Sequence, residues 1–378
     1  MNIGIVCYAS VGGSGIVATE LAKSLAERGH AVHVLSTDTP FRLGSYQPGL
    51  TFHRVHTPAY PLFREPQYVI ALASRMVQVA REQGLDVIHA HYAVPHATAA
   101  YLAKQILLRA EKGVVPRIIT TLHGTDITLV GSDHSYAETV AFSIEMSDGV
   151  TAVSDSLRQD TYRALSVQKP ISVIPNFLDC DVYQRIEAAP LRTRYCPPGC
   201  EKLVIHVSNF RPVKRVPVVV QVFAKIAARV PSRLLLVGDG PDLGPALDEA
   251  RALGISGLVE ALGEQDQIIP LLSIADLFLL TSSQESFGLA ALEAMACDVP
   301  VVASRVGGLH EVIDQGATGF LRDPSDVNGM AEDGIMLLTD AELHRRIATE
   351  GRRSVRKRFC RDRIVPQYEA LYEEILSR

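Results

Sequence analysis

The sequence has no apolar run approaching the roughly 18 residues needed to span a bilayer, and Asp276 interrupts the longest candidate. That excludes a transmembrane anchor. The first residues, Met1-Asn2-Ile3-Gly4-Ile5-Val6, enter a strand pattern at once. They have neither a basic leading region nor a cleavage site, which reads against a signal peptide and for a cytoplasmic protein. Charge of one sign is also scarce: 37 Lys and Arg stand against 42 Asp and Glu, a net of −5. A broad nucleic-acid surface is therefore not expected, although a local basic pocket is allowed. Low-complexity segments and short repeats are absent. Cysteine is sparse, with six in 378 residues, mostly scattered, as in a protein with reduced thiols. Cys196 and Cys200 form the only close pair. No second pair or neighbouring histidine completes a four-ligand zinc set there, so free loop thiols are the expected state.

What is present is a soluble-type composition, 47% hydrophobic and 21% charged, on a chain of 378 residues, long enough for two cores. Strand patterns at 2–8, 31–37, 87–90, 118–122, 149–153 and 171–174 alternate with helical stretches, among them 16–28 and 68–83. The alternation restarts with strands at 202–207, 233–237, 257–261, 277–280, 299–303 and 319–321. This predicts two α/β, doubly wound, Rossmann-like domains with parallel sheets. The expected boundaries are 1–170 and 171–360, with the Pro-, Arg- and Cys-rich stretch 179–201 after the junction. Ligands are expected at strand C-terminal ends, in a cleft that the domains face. A last helix, 362–376, carries an apolar stripe of Ile364, Val365, Tyr368, Leu371, Tyr372 and Ile375 that must bury against something.

The most informative stretch is Glu285-Ser-Phe-Gly-Leu-Ala-Ala-Leu-Glu293. The run 275–280 reads as a buried strand ending at Thr281-Ser282-Ser283, and 289–295 reads as a helix. One carboxylate thus lies on a strand-to-helix loop and the other, eight residues on, inside the helix. The helix start offers free N–H groups and a positive dipole end to an anion. Carboxylates beside it suit sugar hydroxyls and a ribose diol. Two solvated surface glutamates are the plainer reading of so short a motif. A glycosidase pair fits poorly, because eight helical residues span about 12 Å against the roughly 5–9.5 Å such pairs use. Context decides. Glu-Ser-Phe-Gly-Leu, Glu-Ala-Met-Ala, Val-Pro-Val-Val-Ala-Ser, then Gly307-Gly308 and Glu311 resemble, over some forty unbroken residues, the nucleotide-sugar segment of the retaining glycosyltransferases of family 4.

Gly13-Ser14-Gly15-Ile16-Val17-Ala18 fits the G-x-G-x-x-G/A dinucleotide pattern, with Asp38 ending the next strand, so an NAD-binding protein is a rival. A plain glycine turn is the structural reading. No hydride-transfer site accompanies it, and the resembled family uses an N-terminal Gly-Gly loop for acceptor and diphosphate. Val207-Ser-Asn-Phe-Arg-Pro-Val-Lys-Arg215 puts cations after a strand, suited to a diphosphate. Many relatives have Gly-Arg followed five residues later by Lys. Here Asn209 takes the arginine slot, Arg211 lies two residues on and Lys214 keeps its place. Gly238-Asp-Gly-Pro241 looks like the family's turn near uracil and phosphates. Thr121-Leu-His-Gly-Thr-Asp126 sets His123 at a strand end, where the family holds the donor sugar. His89 and His91 share a strand face without an acidic partner, which reads against a metal. Pro175-Asn-Phe-Leu-Asp179 resembles the family's hinge segment, with Phe177 in place of the usual glycine.

The resemblance implies the GT-B arrangement, with the last helix, 361–378, crossing back to the first domain. Segments 8–15, 91–97, 122–131 and 209–215 look most like those members that pass N-acetylglucosamine from UDP-GlcNAc to the hydroxyl of L-malate, the first step of bacillithiol biosynthesis, with retention. The implied catalytic set is His123, Glu285, Arg211 and Lys214. The implied donor set is Gly13, Asn209, Arg211, Lys214, Gly238, Phe287, Gly288, Leu289 and Glu293. Gly13, Ser14, Tyr92, Thr121 and Asn209 are the candidates for malate. No metal and no cofactor are implied, because cations and a helix dipole can neutralise the leaving UDP. Rival activities are a UDP-GlcNAc epimerase and a glycolipid transferase. The latter needs a basic, apolar docking helix; 101–117 holds Lys104, Arg109, Lys112 and Arg117 but is not strongly amphipathic. A homo-oligomer is allowed.

Overall fold

The computed structural model describes residues 1–9, 12–40, 42–44, 46–57, 67–110, 114–127 and 133–378. The expectations for Ser10, Val11, Lys112 and 128–131 lie outside those residues. The chain forms two compact units, Met1–Asn176 with Arg361–Arg378, and Phe177–Cys360.

The first unit runs β1 (Asn2–Val6), α1 (Gly13–Glu27), β2 (Ala31–Ser36), β3 (Leu50–Arg54), α2 (Tyr68–Gln83), β4 (Val87–His91), α3 (Thr98–Arg109), β5 (Arg117–Leu122), α4 (His134–Glu145), β6 (Gly149–Ala152), α5 (Asp155–Ala164) and β7 (Ile171–Val173). Its seven strands lie in the order β3-β2-β1-β4-β5-β6-β7, all parallel. β7 pairs with β6, so this unit extends six residues past the expected boundary at 170. Strand β1 is largely apolar and every residue of β4 is buried, as expected where helices cover both faces of a parallel sheet. Ile3, Ile5, Val87 and Ile88 are fully buried. Arg117 opens β5 rather than closing a helix, and α3 ends at Arg109. The basic stretch 101–117, a poor match to a docking helix, thus takes in the end of α3 and the start of β5.

The second unit runs α6 (Ala189–Tyr195), β8 (Lys202–Val207), α7 (Val216–Ala227), β9 (Ser232–Val237), α8 (Leu243–Ala252), β10 (Val259–Gly263), α9 (Ile269–Ile274), β11 (Leu277–Leu280), α10 (Leu289–Ala296), β12 (Val301–Ser304), α11 (Leu309–Val312), β13 (Phe320–Arg322), α12 (Val327–Thr339) and α13 (Ala341–Arg358). Its parallel order is β10-β9-β8-β11-β12-β13. The chain then enters α14 (Arg361–Leu376), which belongs to the first unit and buries Ile364, Val365, Tyr368, Tyr372 and Ile375 there.

In each unit the strand order reverses once, between β1 and β4 and between β8 and β11. Loops leaving the C-terminal ends of strands beside such a reversal are where open α/β sheets bind ligands. Those loops carry Gly13 and Tyr92 in the first unit and Asn209, Arg211 and Glu285 in the second, while His123 follows β5, the next strand along.

The cysteine expectation needs correction. Cys196 and Cys200 are joined by a disulfide, as are Cys180 and Cys360. The Pro197-Pro198-Gly199 turn, with Gly199 at φ +96°, folds Cys200 back on Cys196. Cys180 meets Cys360 because the backbone at Leu178 pairs with that of Cys360. Cys7 and Cys297 are free and buried.

Candidate active site

In the second unit the site is built on two loops that clasp each other. Glu285 follows β11, and Lys214 follows β8 in a short helical turn, Pro212–Lys214. Lys214 Nζ lies 2.5 Å from Glu285 Oε1, and the Ser282 hydroxyl donates to the same oxygen at 2.9 Å. Both charged side chains are largely buried, at 21% and 10% exposure, so solvent screens this pair less than a surface pair. The loops are tied by Ser283 N donating to Val213 O at 2.8 Å and by the Thr281 hydroxyl reaching Arg215 O at 3.1 Å.

Glycine is required here for close approach. Gly307 has φ +48°, and a Cβ on it would collide with the carbonyl of Glu285. Gly308 N donates to that carbonyl at 2.9 Å. The Gly307-Gly308 pair thus braces the loop that carries the carboxylate. Gly238, at φ +124°, packs its backbone against the Ser208 carbonyl, where any side chain would clash. The neighbouring turn holds two non-glycine residues in left-handed conformation, Phe210 at φ +40° and Arg215 at φ +53°. Each costs on the order of 1–2 kcal/mol, and the fully buried Phe210 ring helps to hold the turn.

Gly288 precedes α10 in the left-handed region, and no side chain caps that helix. The first N–H groups of α10, at Leu289 and beyond, thus lack a side-chain cap. Phe287 is buried edge-on against Phe359 at 5.6 Å, which leaves its backbone rather than its ring for a ligand. Glu293, only 5% exposed, accepts from the Tyr183 hydroxyl at 2.8 Å. Arg211 and Asn209 are exposed, and among the described residues neither side chain has a hydrogen bond or ion pair. His206, buried beneath this site, bonds Leu279 O and the Ser208 hydroxyl, both at 2.8 Å; burial pushes it down to about 4.

The first unit makes a different kind of site. Gly13 opens α1, and Ser14 Oγ accepts from the Tyr92 hydroxyl at 2.7 Å. Two expected acceptor residues are therefore in contact. Tyr92 leaves β4 at φ +97°, a strained value for a tyrosine, held by its N–H donating to Thr121 O at 3.0 Å. Thr121 itself corrects the sequence reading. Its side chain is fully buried, with its hydroxyl 2.7 Å from both His89 Nε2 and Thr151 Oγ1. It is interior structure under the site and does not present a hydroxyl at the strand end.

His123 Nε2 lies 2.9 Å from His91 Nδ1, and His89 Nδ1 lies 2.7 Å from the Tyr372 hydroxyl of α14. Burial pushes His89 and His123 down to about 3 and His96 down to about 4, so the cluster is neutral at pH 7. Asp126 braces the turn, accepting from Gly124 N at 3.0 Å and Ala93 N at 3.2 Å; burial raises it to about 6 despite those donors. Among the described residues no group of three or more His, Cys, Asp or Glu is arranged to hold a metal ion. Asp38, the acid of the dinucleotide pattern, is exposed and pairs with Arg54 of β3 at 3.6 Å.

Sequence reasoning missed Tyr183, Ser282, His206 and His91 as site neighbours. Ser282 could have been suspected from its place at the end of β11. Tyr183 meets Glu293 across 110 positions, which no local pattern records.

Two family models match the chain: Glycosyltransferase Family 4 over residues 11–182 and Glycosyl transferases group 1 over residues 192–354. The N-acetyl-alpha-D-glucosaminyl L-malate synthase of Bacillus anthracis is 49% identical over 376 residues, covering 100% of this chain and 97% of that one. The chain belongs to the family 4 glycosyltransferases. This glycosyltransferase is also 28% identical over 374 residues to the D-inositol 3-phosphate glycosyltransferase of Stackebrandtia nassauensis, covering 89% and 81% of the two chains. Its fold is that of a Rickettsia africae glycosyltransferase, with TM-score 0.81 at 21% identity over 99% and 98% of the chains. An Anabaena protein solved with UDP-glucose has TM-score 0.81 at 23% identity over 100% and 99%. Among the described residues of the enzyme, no helix is long and apolar enough to cross a membrane.

Proposed function

We propose that this glycosyltransferase moves N-acetylglucosamine from UDP-GlcNAc to the hydroxyl of L-malate, retaining the α configuration and needing no metal. The observation that carries the choice of substrates is the 49% identity, end to end, with a synthase of that name. The clustered cations and helix start support a mechanism of same-face transfer for this reading. The bond from the anomeric carbon to the diphosphate oxygen breaks, and a bond from that carbon to the malate hydroxyl forms on the same face. The hydroxyl proton passes to a phosphate oxygen of the departing UDP.

Negative charge grows on the diphosphate as the bond breaks. Lys214 is already oriented by Glu285, and Arg211, without a partner among the described residues, can bind two oxygens at once. The N–H groups near Phe287–Leu289 add the positive end of α10. In this reading Glu285 also takes sugar hydroxyls, Glu293 takes the ribose diol, and Gly13, Asn209 and Gly238 offer backbone or amide contacts to the donor. His123 orients the sugar. Gly13, Ser14, Tyr92 and Asn209 serve malate.

The test is UDP release from UDP-GlcNAc against a panel of hydroxy acids in excess EDTA. L-Malate should support turnover, and succinate, which lacks the attacking hydroxyl, should compete without being glycosylated. A different preferred acceptor would overturn the malate assignment. Activity lost in EDTA and restored by Mg²⁺ would overturn the metal-free step.

A further inference from the structure

We infer that His91 is a positioning residue that fixes the tautomer of His123, so that His123 presents Nδ1–H as a donor. The inference rests on the proposed contact between His123 and the donor sugar. Its own evidence is a pattern of filled and empty hydrogen-bonding positions in the first unit.

His91 ends β4 and is fully buried. Its Nδ1 lies 2.9 Å from His123 Nε2, and the rings are 22° from parallel with centroids 5.1 Å apart. A contact this short between rings that far apart runs end to end, as an N–H···N bond should. One of the two nitrogens carries the hydrogen and the other accepts it, so the tautomers of the pair are coupled. Two arrangements are possible. In one, His91 donates from Nδ1 and keeps a bare Nε2, and His123 must then carry its hydrogen on Nδ1. In the other, His123 donates from Nε2, and His91 must carry its hydrogen on Nε2.

The surroundings of His91 decide between them. Its Nε2 is buried and has no hydrogen-bond partner among the described residues. The second arrangement would bury an N–H there with nothing to receive it. Orphaned buried N–H groups are rarer and costlier than an unused acceptor lone pair. Protonating both nitrogens is no escape, because burial and the neighbouring histidines hold His91 far below its ordinary range. The first arrangement therefore holds. Nδ1–H of His123 is left over, with no partner among the described residues, on a residue that is only partly buried.

The ring of His91 is itself clamped. His89 stacks on it at 4.5 Å, and His89 is held at both nitrogens by Tyr372 and Thr121. The turn after His123 is fixed by Asp126. A neutral histidine that can only donate from Nδ1 suits an oxygen of a sugar hydroxyl. A histidine free to exchange tautomers would spend part of its time presenting a lone pair instead.

The test is a ¹⁵N-histidine spectrum of the wild-type protein, with His123→Gln used to assign the signal. Wild-type His123 should show a protonated Nδ1 and a bare Nε2 at pH 7; a protonated Nε2 overturns the inference. His91→Phe should let His123 populate both tautomers and lower kcat about tenfold, the effect of one hydrogen bond, with UDP affinity unchanged. His91→Asn, whose amide can donate from nearly the same place, should restore most of that loss. If His91→Phe keeps wild-type kcat, or if Asn rescues no better than Phe, His91 does not act through His123. Failure of the wild type to use UDP-GlcNAc would count against the proposed function, whereas the spectrum reads the tautomer whatever the substrate is.

Discussion

The two units place their polar groups by opposite rules. In the first, the polar centre beneath the strand ends is neutral and almost closed: His89, Thr121, Thr151 and Tyr372 satisfy one another inside the sheet. In the second it is charged and half-finished, with Lys214 held on Glu285 while Arg211 stands without a partner among the described residues. A neutral, rigid network defines direction, because its hydrogens can point only one way. A charged one with a cation to spare attracts an anion. In the proposed transfer, one fold, used twice, supplies orientation in one unit and charge neutralisation in the other.

Acid should separate the two units most strongly. His53 and His96 titrate at about 4 and His89 and His123 at about 3, all depressed by burial below the ordinary value of 6.5. On acidification the unfolded chain takes up these protons first. Stability contributed by the neutral histidines is therefore complete above about pH 6.5 and is lost as pH falls toward 4 and 3. Asp126, raised to about 6, has the opposite sign and offsets only part of this. The second unit contributes His206 in the same direction. Hydrogen exchange followed from pH 7 to pH 4 should show β4 and β5 losing protection before β8 and β11. Simultaneous loss, or earlier loss in the second unit, would contradict the contrast.

Next in size is Glu285→Gln. It keeps the shape but removes the charge that orients Lys214, and turnover should fall about 100-fold or more with the melting temperature little changed. Turnover within a few-fold of wild type would remove Glu285 from the site. Lys214→Ala should weaken UDP binding by about 1.5–3 kcal/mol, roughly 10- to 100-fold, measured by calorimetry. Equal affinity would mean that the diphosphate is held elsewhere.

Ser14→Ala and Tyr92→Phe probe the neutral side and should have the smallest effects. Each removes one neutral hydrogen bond, worth about 0.5–1.5 kcal/mol. The KM for malate should rise several-fold while UDP affinity stays the same. A loss of UDP affinity in either variant would blur the division between the units.

The charged site was the more legible from sequence, for a physical reason. Its strand, loop and helix are consecutive, so Glu285, Gly288 and Glu293 declare their places by local periodicity, and Gly307-Gly308 follows within the same forty residues. The neutral site is assembled by strand register. Thr121 reads as a strand-end hydroxyl, yet register sets it beside Thr151 and His91, and its side chain turns inward. β3 was missed because Leu50–Arg54 is half exposed and lacks an apolar run. The disulfides, the Tyr183–Glu293 contact and the Tyr372–His89 contact join residues far apart in the chain, and spacing carries no trace of them.

Proton NMR of the products from UDP-GlcNAc and L-malate tests the proposed transfer most directly. Transfer with retention predicts one new α-anomeric signal, appearing in step with UDP and only when malate is present. Free N-acetylglucosamine, an epimerised sugar formed without acceptor, or a β-linked product would contradict it.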